Sequence, residues 1–248
     1  MEVIYALWLR EVKRYTRSPV QILVSLGQPM LYLLILGFGL GPVFEKAGRG
    51  SYLQFVAPGV IGMSILFSSV FSGVGLLFDR QFGFLKETLV APVPRTTILL
   101  GRTLGGATVA VIQGTMVLIA AMLAGFRPVS ATALPAAFGF MLFIAVVFGA
   151  LGTAIGSVLQ DMQGFQVIMN FLIMPIYFLS GALFPLANLG IVLTVLTRLD
   201  PLAYGIDGIR SSLLQASHFG AALDVLVLSV AACTFLALGT YLFSRIEI

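Results

Sequence analysis

The chain has 248 residues, of which 59% are hydrophobic and only 10% charged, with a formal net charge of +4 at pH 7. Soluble domains carry roughly a quarter charged residues, so a mean hydropathy of +1.05 excludes a water-bathed globule and points to a surface that faces lipid. The basic residues gather near the ends of apolar runs, where anionic headgroups attract them, and no basic stripe interleaved with aromatics marks a nucleic-acid binder. The single cysteine, Cys233, rules out a disulfide within the chain.

In chain order, residues 2–17 come first. Arg10, Lys13, Arg14 and Arg17 recur at helical spacing opposite a stripe of Ile4, Trp8, Val12 and Tyr15. This pattern predicts an amphipathic interfacial helix within residues 1–19, lying along the membrane with its basic side to the headgroups. Charges persist to Arg17 and no small-residue cleavage site follows the first apolar run, so that run reads as a retained anchor. A spanning helix needs about 20 apolar residues. Six segments qualify: Val20–Val43, Phe55–Phe78, Ile98–Gly125, Leu134–Leu159, Phe165–Phe184 and Val225–Phe243. Spanning strands are far shorter than these continuous runs.

Two connections stand out. Residues 79–97, DRQFGFLKETLVAPVPRTT, are charged at both ends and apolar in the middle. Phe82–Val90 fits a short amphipathic helix closed by Pro92 and Pro94. Residues 185–224 contain two apolar stretches, Leu186–Leu199 and Leu202–Leu214, too short to span and broken by Pro185 and Pro201. Their length fits re-entrant or interfacial helices. The expected fold is therefore an all-α integral membrane protein in one domain: a surface helix, six transmembrane helices, and short re-entrant outer helices after the fifth. Nine of the fourteen Lys and Arg residues fall on the side of the N-terminus and five on the other, which orients both termini to the cytoplasm.

The residues offer little chemistry. No G-x-x-x-x-G-K-[ST] loop is present to grip ATP phosphates, and no His, Cys and carboxylate cluster has metal-ligand spacing. No catalytic, cofactor-binding or metal-binding residue is expected. An intramembrane serine hydrolase would have to use Ser180 with His218, the only histidine; the alternative is a small-residue kink at Ser180-Gly181 before Pro185. The span centres hold Gln28, Gln113, Gln166 and Asn170 but no charge, which counts against a proton-driven pump. A transporter powered from outside the chain and a stand-alone transporter or channel both remain open at this point. The charges around residues 79–97 likewise read either as stop-transfer flanks or as the rim of a docking helix bearing Phe82, Leu85 and Leu89.

Three segments carry a family likeness: FVAPGVIGMSILFSSVFSGVGLLFDRQFGFLKETLVAPVPRTTILLGR (55–102), PIYFLSGALFPLANL (175–189) and LDPLAYGIDGIR (199–210). With them the chain resembles the type-2 class of ABC exporter permeases. This class includes daunorubicin-resistance-like drug exporters, nodulation-factor exporters and polysaccharide exporters. The resemblance implies a permease in a bacterial or archaeal plasma (inner) membrane, pairing with a second permease subunit, itself or a sister chain, in contact with membrane lipid. It implies cytoplasmic ABC ATPase subunits that carry the ATP and magnesium. Residues 79–97 would form the coupling loop, with Phe82, Phe84, Leu85, Glu87, Leu89 and Arg95 toward the ATPase. Ser180, Gly181 and Pro185 would shape the outer turn. The implied cargo is drug-like, lipid-like or a glycolipid or polysaccharide, moved out of the cytoplasm.

Overall fold

The computed structural model describes residues 2–46, 51–84, 93–159, 161–186 and 190–245. The helices in order are α1 (Glu2–Thr16), α2 (Pro19–Gly39), α3 (Gly41–Lys46), α4 (Tyr52–Phe71), α5 (Val74–Gln81) and α6 (Arg95–Leu123). There follow α7 (Leu134–Val158), α8 (Met162–Leu179), α9 (Ile191–Leu199), α10 (Pro201–Leu214) and α11 (Ala221–Ser244). Among the described residues six helices are long and apolar enough to cross a membrane: α2, α4 with α5, α6, α7, α8 and α11. The all-α reading and the six spans hold, with the ends moved by a few residues.

Helix α4 is the axle of the bundle. Nearly its whole circumference is buried, against α2, α6, α7 and α10. Helices α2, α8 and α11 are peripheral, with only about a fifth of each buried inside the bundle. The second span runs 30 residues from Tyr52 to Gln81, or ~45 Å at 1.5 Å per residue, against a hydrocarbon core of about 30 Å. Its surplus is α5, set off at Ser72-Gly73, a Ser/Gly pair of the kind that bends helices.

The glycines explain how the helices come so close. A Cβ on Gly101 would stand 3.0 Å from Leu7 Cβ, and one on Gly105 would stand 2.7 Å from Glu11 Cβ. Both glycines therefore serve packing of α1 on α6 within the chain. Helix α1 also packs on the bundle: Tyr15 and Glu11 are buried, and the Trp8 indole N–H donates to Thr108 Oγ1 at 2.9 Å.

Helix α8 contains a π-helical turn over Met169–Ile173. It ends just before Pro175, whose ring would strike the carbonyl of residue 171 in a regular α-helix. Of the two short helices expected after it, α10 is sunk into the bundle against α4, α7 and α11. By contrast, α9 keeps Ile191, Val192, Val195 and Leu199 exposed. The Asp207 carboxylate accepts from the backbone N–H of His218 at 2.9 Å and of Phe219 at 2.8 Å, closing the turn into α11.

Candidate functional site

At the end of the bundle that carries α1, arginines tie five helices together. The Arg10 guanidinium donates to both oxygens of Asp79 at 2.7 Å, and Arg102 donates to the same carboxylate. The side chains of Asp79 and Arg102 are 7% and 6% exposed, while Arg10 is 40% exposed. This knot joins α1, α5 and α6. The sequence placed Asp79 and Arg102 on the rim of the 79–97 loop, but burial takes both out of any exposed rim.

Two more arginines close the helix ends nearby. Arg80 donates to the Leu159 carbonyl at 3.3 Å, beyond the last turn of α7. Arg95 donates to Ser244 O at 2.6 Å and Phe243 O at 3.4 Å, at the end of α11. A cation there satisfies carbonyls that have no intrahelical partner and complements the negative end of the helix dipole. Residues on either side of the loop are thus fastened to the ends of two other spans.

The residues expected to meet an ATPase fall into three groups. Phe82 and Phe84 are exposed, with Phe82 stacked on Phe78 at 6.2 Å between ring centroids, next to Gly83 at φ +81°. Arg95 points to the end of α11. Leu85, Glu87 and Leu89 lie outside the described residues.

The opposite end holds the turn at Ser180, Gly181 and Pro185. Gly181 takes φ +72°, and a Cβ there would stand 2.7 Å from Leu186 Cγ, so only glycine suits the position. Arg210, in α10, donates to the Gly181 carbonyl at 3.1 Å and to Phe55 O at 3.4 Å, with its guanidinium 4.5 Å above the Phe55 ring. Tyr52 donates to Leu183 O at 2.8 Å. Sequence reading did not single out Arg210 or Tyr52, because their partners are backbone carbonyls distant in the chain. Pro185 follows in the same turn, partly exposed.

Ser180 is buried and donates to Tyr177 O at 2.6 Å. His218 sets its ring edge-on to Phe219, 4.6 Å between centroids, and among the described residues no hydrogen bond joins it to Ser180. The pair is not an activated nucleophile.

Asp200 starts α10, its Oδ1 accepting from Leu202 N–H at 2.8 Å, while Oδ2 has no partner among the described residues. Burial pushes this carboxyl up to about 8 from 3.8. Over that window the unfolded chain holds fewer protons than the folded one, so stability falls as pH rises from about 4 to about 8. Denaturant midpoints of the purified chain are expected to follow this fall. Asp200→Asn, which keeps the cap but cannot ionise, is expected to flatten it.

One set of polar residues has an unusual position. Gln163, Gln166 and Asn170 lie on one face of α8, and Gln21 and Gln28 on one face of α2; all five are exposed. Amides facing hydrocarbon without partners are costly.

The geometry is that of a multi-span helical bundle tied at one end by arginines, and among the described residues no group of His, Cys, Asp and Glu is placed to hold a metal ion. Residues 2–214 match the family described as "ABC-2 type transporter", and the chain belongs to that family. Among its relatives is a putative transport permease ycf38 from Pyropia yezoensis, 30% identical over 217 residues, covering 85% of this chain and 73% of the relative. Nodulation protein J from Sinorhizobium fredii is 29% identical over 241 residues, covering 94% of this chain and 90% of the relative. The inner membrane transport permease YadH of Escherichia coli K12 is 28% identical over 211 residues, covering 84% and 82%. The chain is a membrane permease subunit of an ABC transporter, a family that implies a partner ATPase.

Proposed function

We propose that two permease subunits, two copies of this chain or this chain and a sister, pair through the faces of α2 and α8 and enclose the pathway of an exporter. The five exposed amides on those faces carry this reading, since a pathway wall or subunit seam is where such groups are tolerated. The α1 end is cytoplasmic. There Arg10, Lys13, Arg14, Arg17, Arg80, Arg95, Arg102 and Arg245 collect, as the positive-inside bias requires. Residues 79–97 are the coupling loop: Phe82, Phe84, Leu85, Glu87 and Leu89 meet the ATPase, and Arg95 anchors the loop to α11. The membrane is the plasma (inner) membrane of a bacterium or archaeon. The cargo is drug-like, lipid-like or a glycolipid or polysaccharide, and it leaves the cytoplasm.

Co-purification in mild detergent tests the coupling loop. The wild-type chain is expected to retain its ATPase, and the double change Leu85→Asp, Glu87→Ala to lose it while the permease stays folded. A permease that never retains an ATPase overturns the coupling reading. Pairing is tested separately with Asn170→Cys in a Cys233→Ala background. A short bis-maleimide is expected to link two copies in the membrane through residue 170, whereas Val230→Cys, on the exposed apolar side of α11, is not. Equal linking at both positions would move the seam elsewhere.

A further inference from the structure

Helix α8 is built as two arms, Met162–Ile168 and Met174–Leu179, joined by the π-turn Met169–Ile173. The arms are held unequally. At the end of the second arm three alternate carbonyls each accept from a different element. Leu179 O accepts from Thr197 Oγ1 of α9 at 3.0 Å, Gly181 O from Arg210 of α10 at 3.1 Å, and Leu183 O from Tyr52 of α4 at 2.8 Å. A Cβ on Gly59 of α4 would stand 2.3 Å from Ala182 O, so the backbone there lies directly on α4. The first arm has no such ties. Its one buried side chain is Phe165, with its ring centroid 6.3 Å from that of Phe71. Among the described residues no hydrogen bond joins Met162–Ile168 to another helix.

The π-turn has a cause in the sequence. The buried residues of α8, Phe165, Met169, Ile173 and Tyr177, recur every fourth residue. In a regular α-helix each step of four overshoots a full turn by about 40°, and three steps by about 120°. The stripe stays on the bundle because the π-turn, closed by i→i+5 bonds, holds one residue more than an α-turn. Closing it to a regular turn, with the second arm held, would rotate the first arm by one residue, about 100°, and advance it by about 1.5 Å. The face then turned to the bundle follows Ile173 at helical spacing: Asn170, Met169 and Gln166. Phe165 leaves that face, and two of the exposed amides enter it.

We infer that α8 is a two-register gate, fixed at its second arm and switched at its π-turn. In the π register the first arm presents Gln163, Gln166 and Asn170 outward. In the α register it turns Gln166 and Asn170 toward the bundle and releases Phe165. The π register is the resting one. Pro175 opposes the regular turn, and exchanging Phe165 for amides loses apolar burial and desolvates polar groups. Two packings of one element, separated by a modest free energy, are what a switch requires. In the proposed orientation the first arm lies in the cytoplasmic half of the membrane, so the gate stands at the cytoplasmic entrance to the pathway. That placement rests on the reading of α8 as a pathway face; the two registers themselves do not.

Two variants separate the registers. Deleting Phe171, which is 82% exposed, removes the extra residue and is expected to fix the first arm in its π-register orientation. Pro175→Ala, at an exposed position, restores the backbone donor and is expected to raise the population of the α register about tenfold. Spin labels at Val167 and Leu142, and in a second sample at Phe178 and Leu142, all exposed positions, report on the two arms. They are carried by the full chain with Cys233→Ala in lipid nanodiscs, diluted with unlabelled chains so that only distances within one chain are read. A side chain about 5 Å from the helix axis moves ~8 Å when turned through about 100°. The Val167–Leu142 distribution is expected to shift by up to that ~8 Å in Pro175→Ala and to narrow onto the main wild-type peak in the deletion. The Phe178–Leu142 distribution is expected to hold in both. A Pro175→Ala distribution identical to wild type, the same shift in both variants, or equal shifts at residues 167 and 178 overturns the gate. If the deletion does not fold, Pro175→Ala decides alone. A shift without cross-linking through residue 170 supports the two registers and overturns the pathway reading; cross-linking without a shift does the reverse.

Discussion

Asp79→Ala is expected to destabilise the fold by about 3–5 kcal/mol, the cost of leaving a buried charge without its partner. The charge left behind is Arg102, whose side chain is 6% exposed and whose Nε already has no partner among the described residues. The other half of the knot contributes far less. Arg10 is 40% exposed, so Arg10→Ala removes a solvent-screened contact and is expected to cost about 1 kcal/mol or less. The double change Asp79→Leu, Arg102→Met removes both buried charges and is expected to recover much of the loss. Chemical unfolding in mild detergent orders the three variants. Equal losses for Asp79→Ala and Arg10→Ala would mean that water reaches Arg102 and that the knot is a surface feature. Because the knot joins α1, α5 and α6, Asp79→Ala is also expected to depress cargo-stimulated ATP hydrolysis by the assembled complex more than ATPase retention.

The second large effect belongs to Gly73 and Gly152. A Cβ on Gly73 would stand 2.1 Å from the Gly152 carbonyl oxygen, and a Cβ on Gly152 would stand 2.4 Å from Val70 O and 2.8 Å from Val70 Cα. These are backbone atoms, which no rotamer change can move. Alanine at either site must push α7 away from the junction of α4 and α5. We expect a loss of about 3 kcal/mol from overpacking, which outweighs the ~1 kcal/mol that alanine gains over glycine in a helix. Gly139→Ala is the control: it lies in the same α7, and nothing stands within 4 Å of its added Cβ. Unfolding midpoints should fall for Gly73→Ala and Gly152→Ala and hold or rise for Gly139→Ala. A stable Gly152→Ala protein would show that the junction yields, and the close approach would then not be what fixes α5.

Much of the fold was legible because the bilayer imposes a length and a polarity on each span. The run from Leu134 to Val158 could be bounded within a residue, since apolar residues fill it and polar loop residues flank it. The break of the second span at Ser72-Gly73 was not bounded. Nothing in hydropathy marks a helix that continues past the membrane as α5. The surface helix was legible as a helix, from its spacing, but not as a packed one, because Gly101 and Gly105 on α6 are what receive it.

For the site, family likeness pointed to residues 79–97 and to the turn at Ser180, Gly181 and Pro185. The partners of the charges were beyond reach. Asp79 and Arg10 are 69 residues apart, and a single sequence carries no sign that they meet. Arg95 shows the same limit: its contacts are carbonyls at the end of α11, and a backbone carbonyl has no residue identity to read.

By itself, then, the sequence determined the solvent in which this protein folds, the number of its spans, and the short helices after the fifth, all of which follow from transfer of side chains and backbone between water and hydrocarbon, a local property of each segment. Tertiary structure alone decided which charges are buried in pairs, which glycines bring backbones together, and which side chains hold the carbonyls at the end of α8. Those are properties of distance between segments remote in the chain, set by packing that no local pattern encodes.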